Sequence, residues 1–365
     1  MNKSVSSSIA LCLLILSSCS GETEHLRPES VGTPAPLQLN FARGQMGVSI
    51  KEAHARSLVD GIGTGGTSKT DRIGAYITGT DHQSYKGSQG QYTFVAQNAE
   101  GTGWKCYAGT SGSGSETAIY LSNLTATLQA FYPSNEAVTP NTGNGNHTIS
   151  VTIPATQTYN GENSWECSAT DYMYASGNEN SLSAITVSNQ TPGTNGIVSQ
   201  TVYMYHALTQ LLFQIQNEDG KEEDAFNYVK SITLTAANSD TPFRAGTGTM
   251  QINNGTLVGL AAANKLEFTT TDPVAIGSGY TTIGYGLVAP VSNTGSVTMT
   301  VKLGGQGNTD YDRTLTATLP ATAWQAGYSC TYQLKLKGHI LIPTGTTLGT
   351  HTDEAAGNEP IIDVD

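Results

Sequence analysis

Histidines, cysteines, serines and one acidic run are the residues here whose types could do chemistry, and their spacing decides what chemistry is open to them. His25, His54, His82, His147, His206, His339 and His351 are scattered, none at the i, i+4 interval that sets two imidazoles around a zinc on one helix face. No Gly-x-Ser-x-Gly elbow marks a serine as a nucleophile. Gly61, Gly63 and Gly66 fit the dinucleotide fingerprint in form, but no strand and helix flank them, so they read as a loop. The run Glu218-Asp219-Gly220-Lys221-Glu222-Glu223-Asp224 has carboxylates enough for calcium without the ordered spacing of a calcium loop, and reads as a solvated turn. Trp104-Lys105-Cys106 and Trp165-Glu166-Cys167 each set a Trp and a Cys on one side of an extended chain. Cys106 and Cys167 could therefore meet as a disulfide in an oxidising compartment, or serve as small buried apolar residues. Neither a catalytic constellation nor a ligand set emerges, and the expectation is a protein that is not an enzyme, with no cofactor and no metal.

Cys19 is different, because of the residues before it. Lys3 gives a positive start, Ile9 to Leu16 an apolar run, and Ser17-Ser18 two small residues before the thiol. That is an export signal, and the run falls short of the about 20 apolar residues that a bilayer span needs. The ending resembles the lipobox of bacterial lipoproteins, which implies that Cys19 becomes the lipidated first residue of the mature chain. Each acyl methylene buried contributes about 0.8 kcal/mol, so several chains on Cys19 would hold the protein on a membrane without a spanning helix.

The elements that must carry these residues are strands. Of 365 residues only 13% are charged, against a usual share of about 25%, and glycine is abundant at 41. Leu37, Leu39 and Phe41 alternate with polar residues, as do Ile149, Val151 and Ile153, and as do Val297, Met299, Val301 and Leu303. Leu124, Ala126, Leu128 and Ala130 form another such face, and Leu315, Ala317 and Leu319 another. Tyr328, Cys330, Tyr332, Leu334 and Leu336 put five apolar side chains on one side, and Leu211 to Ile215 is apolar enough for a core strand. Asn141 to Asn146 is turn-forming, Ser20 to Pro36 reads as a tether, and Ser188 to Ser199 is the clearest linker in the middle of the chain. The pattern predicts two antiparallel β-sandwiches in series. A formal charge of −12 argues against nucleic acid as a partner.

Several stretches, taken in order, resemble the fimbrillin family of type V pilins. They are Cys19, the short strand Leu37 to Phe41, Arg56-Ser57, the aromatic stretch Asp171-Tyr172-Met173-Tyr174-Ala175, the segment Tyr203-Met204-Tyr205-His206-Ala207-Leu208, and Trp324-Gln325-Ala326-Gly327-Tyr328. The family commonly carries Thr-Arg-Ala where this chain has Ala55-Arg56-Ser57, and often a tryptophan in the tail that this chain lacks.

The resemblance implies a structural subunit with two tandem transthyretin-like sandwiches. It divides the chain into a signal peptide over 1–18, a lipidated tether and removable propeptide over 19–56, sandwiches over 57–190 and 191–338, and a donor tail over 339–365. In that scheme a trypsin-like protease cuts between Arg56 and Ser57, with Arg43 as the lesser alternative, and the first strand departs with the lipid. Ile340, Ile342, Leu348, Ile361, Ile362 and Val364 would then fill the vacated groove of a sibling or related pilin subunit. The implied setting is the outer membrane and cell surface, then a fimbrium meeting host or bacterial surfaces. An alternative is a non-polymerising surface lipoprotein binding glycans through Trp165, Tyr172 and Tyr174.

Overall fold

The computed structural model describes residues 33–43, 72–86, 88, 90–97, 103–160, 167–190, 196–218, 227–237, 242–305 and 308–350. Cys19, Arg56, Ser57, Gly61 to Gly66, Trp165, Ile361, Ile362 and Val364 lie outside them. Among the described residues the fold is all-β, without an α-helix. In chain order the strands of the first part are β1 (Ala35–Arg43), β2 (Arg72–Gly79), β3 (Gln91–Ala96), β4 (Trp104–Ala108), β5 (Glu116–Thr117), β6 (Tyr120–Leu121) and β7 (Ala126–Tyr132). Next come β8 (Thr148–Ile153), β9 (Thr156–Tyr159), β10 (Met173–Ser176), β11 (Ile185–Val187) and β12 (Val198–His206). The second part holds β13 (Thr209–Asn217), β14 (Tyr228–Ala236), β15 (Phe243–Gln251), β16 (Leu257–Val258), β17 (Ala261–Ala263) and β18 (Lys265–Ala275). It closes with β19 (Thr281–Val288), β20 (Val297–Gly305), β21 (Asn308–Leu319), β22 (Tyr328–Lys337) and β23 (Ile340–Thr350).

Period-two patterning sets which face of each strand is dry. In β20, Val297, Met299, Val301 and Leu303 are buried; in β21, Leu315, Ala317 and Leu319; in β22, Cys330, Tyr332, Leu334 and Leu336. These side chains fill a core shared by a sheet ordered β19-β13-β22-β23 and one ordered β21-β20-β14-β18-β9. That is the second core in chain order; the first, with Leu39, Ile73, Ile77, Phe94, Leu128 and Val202, belongs to the sheet β5-β4-β3-β2-β7-β10-β12-β1-β6, on which β11 pairs with β7.

The two parts are interleaved. Val198–His206 begins inside the end of the Ser188–Ser199 interval and runs past it, yet it pairs with β10 and β1 in the first sheet, and the chain changes sheets only at Ala207-Leu208. Conversely β8 pairs with β15 and β9 runs parallel to β18, so two strands of the first half complete sheets of the second. A third apolar cluster joins them, taking Phe131, Ile149, Tyr174 and Leu208 from one side and Met250, Ile252 and Leu287 from the other. Gly255 is needed at this seam: its φ is +72°, and a Cβ there would stand 2.3 Å from the ring of Tyr174.

Candidate functional site: the first and last strands

β1 supplies side chains to the first core while the next stretch of chain, residues 44–71, separates it from β2. Ala35, Leu37, Leu39 and Phe41 are all buried, Leu39 at 1% exposure, and Phe41 meets Phe94 at 5.6 Å and Trp104 at 4.7 Å between ring centroids, both edge-on. At roughly 1.5–3 kcal/mol for each of Leu37, Leu39 and Phe41, the strand contributes on the order of 6 kcal/mol of burial. Its backbone is hydrogen-bonded along its length on one side only. There it runs parallel to β12, from Leu37 opposite Val198 to Arg43 opposite Met204. On the other side β6 takes only Ala35 and Pro36, and the Ile119 carbonyl accepts from the Leu37 N–H at 2.8 Å.

β23 is the reverse case. It is the end strand of its sheet, antiparallel to β22 from Ile340 opposite Lys337 to Thr350 opposite Tyr328, with a bulge opposite Gln333 and Leu334. Leu341 points into the core, whereas Ile340, Ile342 and Leu348 are 63%, 40% and 43% exposed. The side carrying the donor candidates is therefore the wet one, and only one flank of the backbone is paired. Side chains add to this pairing: Tyr280 and Thr344 share a hydroxyl hydrogen bond of 2.7 Å, the Thr344 hydroxyl donates to the Gln333 carbonyl at 3.2 Å, and Arg313 donates to His339 in the turn before the strand. An end strand with apolar side chains facing water invites pairing with another chain.

Other residues singled out by sequence are structural. Cys106 and Cys167 are not bonded to each other: with Cys330 they are free thiols. Cys106 packs in the first core and Cys167 beside the second and the seam, so of the two alternatives they take the place of small apolar side chains. Burial pushes the thiols of Cys106 and Cys330 up to about 12 and that of Cys167 to about 11, values at which a thiol is inert near neutral pH. Tyr172 and Tyr174 are 5% and 2% exposed, inside the seam, and so cannot stack on a sugar. Arg43 closes β1, and Glu218, the first residue of the acidic run, is met by Lys335 and Lys337 at 3.7 and 3.5 Å.

One buried pair escaped the sequence reading. Asp171 and His206 are 5% and 3% exposed, with Oδ2 and Nδ1 2.8 Å apart. Both lie in stretches that carried the family resemblance, but their partnership needs the fold. The pair ties the lead of β10 to the end of β12 just before the chain changes sheets, and its burial leaves no access for a substrate. Among the described residues no cluster of His, Cys, Asp and Glu is arranged to hold a metal ion.

Among the described residues the chain is all-β, its ion pairs lie at the surface except for Asp171–His206, and the apolar side chains of its last strand face water. The chain belongs to the fimbrillin-like family, whose family model matches residues 62–350, a non-enzymatic class of fimbrial and cell-adhesion proteins. In fold it is similar to a candidate cell-adhesion protein from Bacteroides ovatus, with 14% identity, 88% of this chain and 99% of that one covered, and a TM-score of 0.54. A second, from Bacteroides uniformis, has 15% identity, 87% and 98% coverage, and a TM-score of 0.52. A fimbrial protein from Bacteroides vulgatus gives 14%, 76% and 92%, and 0.46. No curated protein matches the chain.

Proposed function

We propose that this protein is a fimbrial subunit that is exported as a lipoprotein on Cys19, matured by proteolysis, and polymerised by strand exchange for adhesion at the cell surface. The observation that carries the reading is the attachment of β1: a wedge of buried side chains held by hydrogen bonds to essentially one neighbour. Such a strand can leave without tearing two others apart, and its departure opens both an apolar slot and the edge of β12.

The cut falls between Arg56 and Ser57, in the segment joining β1 to β2, with Arg43 at the end of β1 as the alternative. Either detaches β1 together with the acyl anchor. The incoming strand comes from the tail of a second copy or a related subunit, with Ile340, Ile342 and Leu348 as one apolar set and Ile361, Ile362 and Val364 as another. The exposure of the first set supports this, since side chains already facing water lose little by leaving. In this reading 57–190 and 191–338 are the two sandwiches of the matured subunit, exchanging β8, β9 and β12 across the boundary.

Terminal sequencing of the protein recovered from the cell surface tests the maturation step. A new amino terminus at Ser57 is expected; an intact acylated Cys19 on assembled fibres overturns the step.

A further inference from the structure

β23 ends beside a groove. Tyr328 is the register partner of Thr350, and Ala326, two residues before Tyr328, forms one wall of an open groove of about 380 Å³ at the seam between the two parts. That wall is pinned: the Gly327 N–H donates to the Leu208 carbonyl at 2.9 Å, and the Thr209 hydroxyl to the Gln325 carbonyl at 2.7 Å. β23 is antiparallel to β22, so Thr350 stands at the Tyr328 end of that strand, two residues from Ala326 in the groove's wall. The opposite walls are Leu257, Leu260 and Pro290, all half-buried, and the groove's charged side chain is the exposed guanidinium of Arg244 on β15.

The tail beyond Thr350 matches this lining. Residues 351–365 contain Asp353, Glu354, Glu359, Asp363 and Asp365 and no lysine or arginine, together with Pro360, Ile361, Ile362 and Val364. In an extended chain Ile362 and Val364 share one side and Asp363 takes the other, an alternation that suits a groove whose lining mixes Leu257, Leu260 and Pro290 with Asn254, Thr256 and Arg244. Fifteen extended residues reach at most about 50 Å, whereas Thr350 and Tyr328 are cross-strand neighbours roughly 5 Å apart, so length is no obstacle. A chain of net charge −12 would repel an acidic tail over most of its surface, which makes the position of Arg244 informative.

We infer that residues 359–364 lie in this groove of their own chain, Ile362 and Val364 against Leu257, Leu260 and Pro290 and Asp363 at Arg244. The apolar end of the tail is thereby covered in the monomer. That this delays assembly until the tail is drawn out rests on the strand-exchange reading; the seat itself does not.

Cysteine trapping tests the seat on the full mature-length chain carrying Cys19→Ser and Cys167→Ser, since Cys106 and Cys330 are buried and Cys167 is half-buried. With Leu260→Cys and Val364→Cys, mild oxidation is expected to give a faster-migrating monomer on a non-reducing gel. Adding Arg244→Glu should lower the bonded fraction several-fold at unchanged circular dichroism. A control joining Val364→Cys to Ser113→Cys, on an exposed loop of the first part, should stay open. Equal trapping of the control pair, bonds formed only between molecules, or no trapping at all overturns the inference. Fibre assembly, measured separately on the matured protein, can succeed or fail independently of that result.

Discussion

The first strand and the last strand have similar lengths and similar alternation, and they meet opposite fates. β1 turns Leu37, Leu39 and Phe41 into a core, whereas β23 turns Ile340, Ile342 and Leu348 toward water and buries Leu341 and Gly349. Hydrogen bonding does not separate them, since each is paired along its length with one neighbour. Burial does. A strand that is one-sided in hydrogen bonds but rich in buried side chains leaves a costly vacancy when it departs, and a strand that displays the same residue types outward is suited to fill one.

The largest test of this contrast is truncation. Phe41→Ala should cost about 3–5 kcal/mol and Leu39→Ala about 2–5 kcal/mol, read as a shift of the urea midpoint at unchanged slope. Equal costs for matching substitutions in β23 would break the comparison.

A second test uses the thiols. In the intact protein none of Cys106, Cys167 and Cys330 should react with an aromatic disulfide reagent at pH 8. Once β1 is cut free and displaced, Cys106, which shares its core, should label at least about tenfold faster while Cys330 stays protected. Simultaneous labelling of both would mean that the second core opens as well, and that β1 is no local wedge.

Acid offers a third, away from both ends. His147 has its pKa lowered, first by burial and then by the nearby charge of His82, and its Nδ1 accepts the Asn141 N–H at 2.9 Å, which only an unprotonated nitrogen can do. The folded form resists a proton that the unfolded chain takes up near the ordinary histidine value. Stability from this group is therefore full above about pH 6.5 and declines as pH falls below it until the folded value is passed. The melting temperature should drop between pH 7.5 and 5.5, and less so in His147→Gln. Because this turn precedes β8, which pairs with β15, the acid effect should be the same before and after removal of β1.

The smallest expected effect sharpens the contrast from the other side. Ile342→Ala, at an exposed position, should change folding stability by no more than about 0.5 kcal/mol while slowing fibre growth. A large folding defect would mean that β23 is an integral strand of its own sheet and not a donor.

Local alternation made much of this fold legible. The buried faces of β20, β21 and β22 are those that period two selects, and Leu37, Leu39 and Phe41 are a strand as their spacing requires. Leu124 is the exception on its predicted face: β7 begins at Ala126, and Leu124 remains 41% exposed in the preceding turn. Periodicity could not reveal partners distant in sequence. The pairing of β8 with β15, of β9 with β18 and of β12 with β1 depends on which edges lie open after the rest has folded, as does the meeting of Asp171 with His206. For the same reason the apolar side of the tail was readable from residue types, while the direction it would face was not: Leu341 meets the shared core while Ile340, Ile342 and Leu348 stay exposed.

The central claim is that the tail of one subunit replaces the first strand of another. Its most direct measurement is an unheated gel of the Cys19→Ser protein after limited digestion with an arginine-specific protease, run beside the same chain lacking residues 339–365 and shown by circular dichroism to be folded. A ladder of oligomers from the full chain and none from the shortened one is the expected result. Ladders of equal extent from both would contradict strand replacement and leave β23 as an ordinary edge.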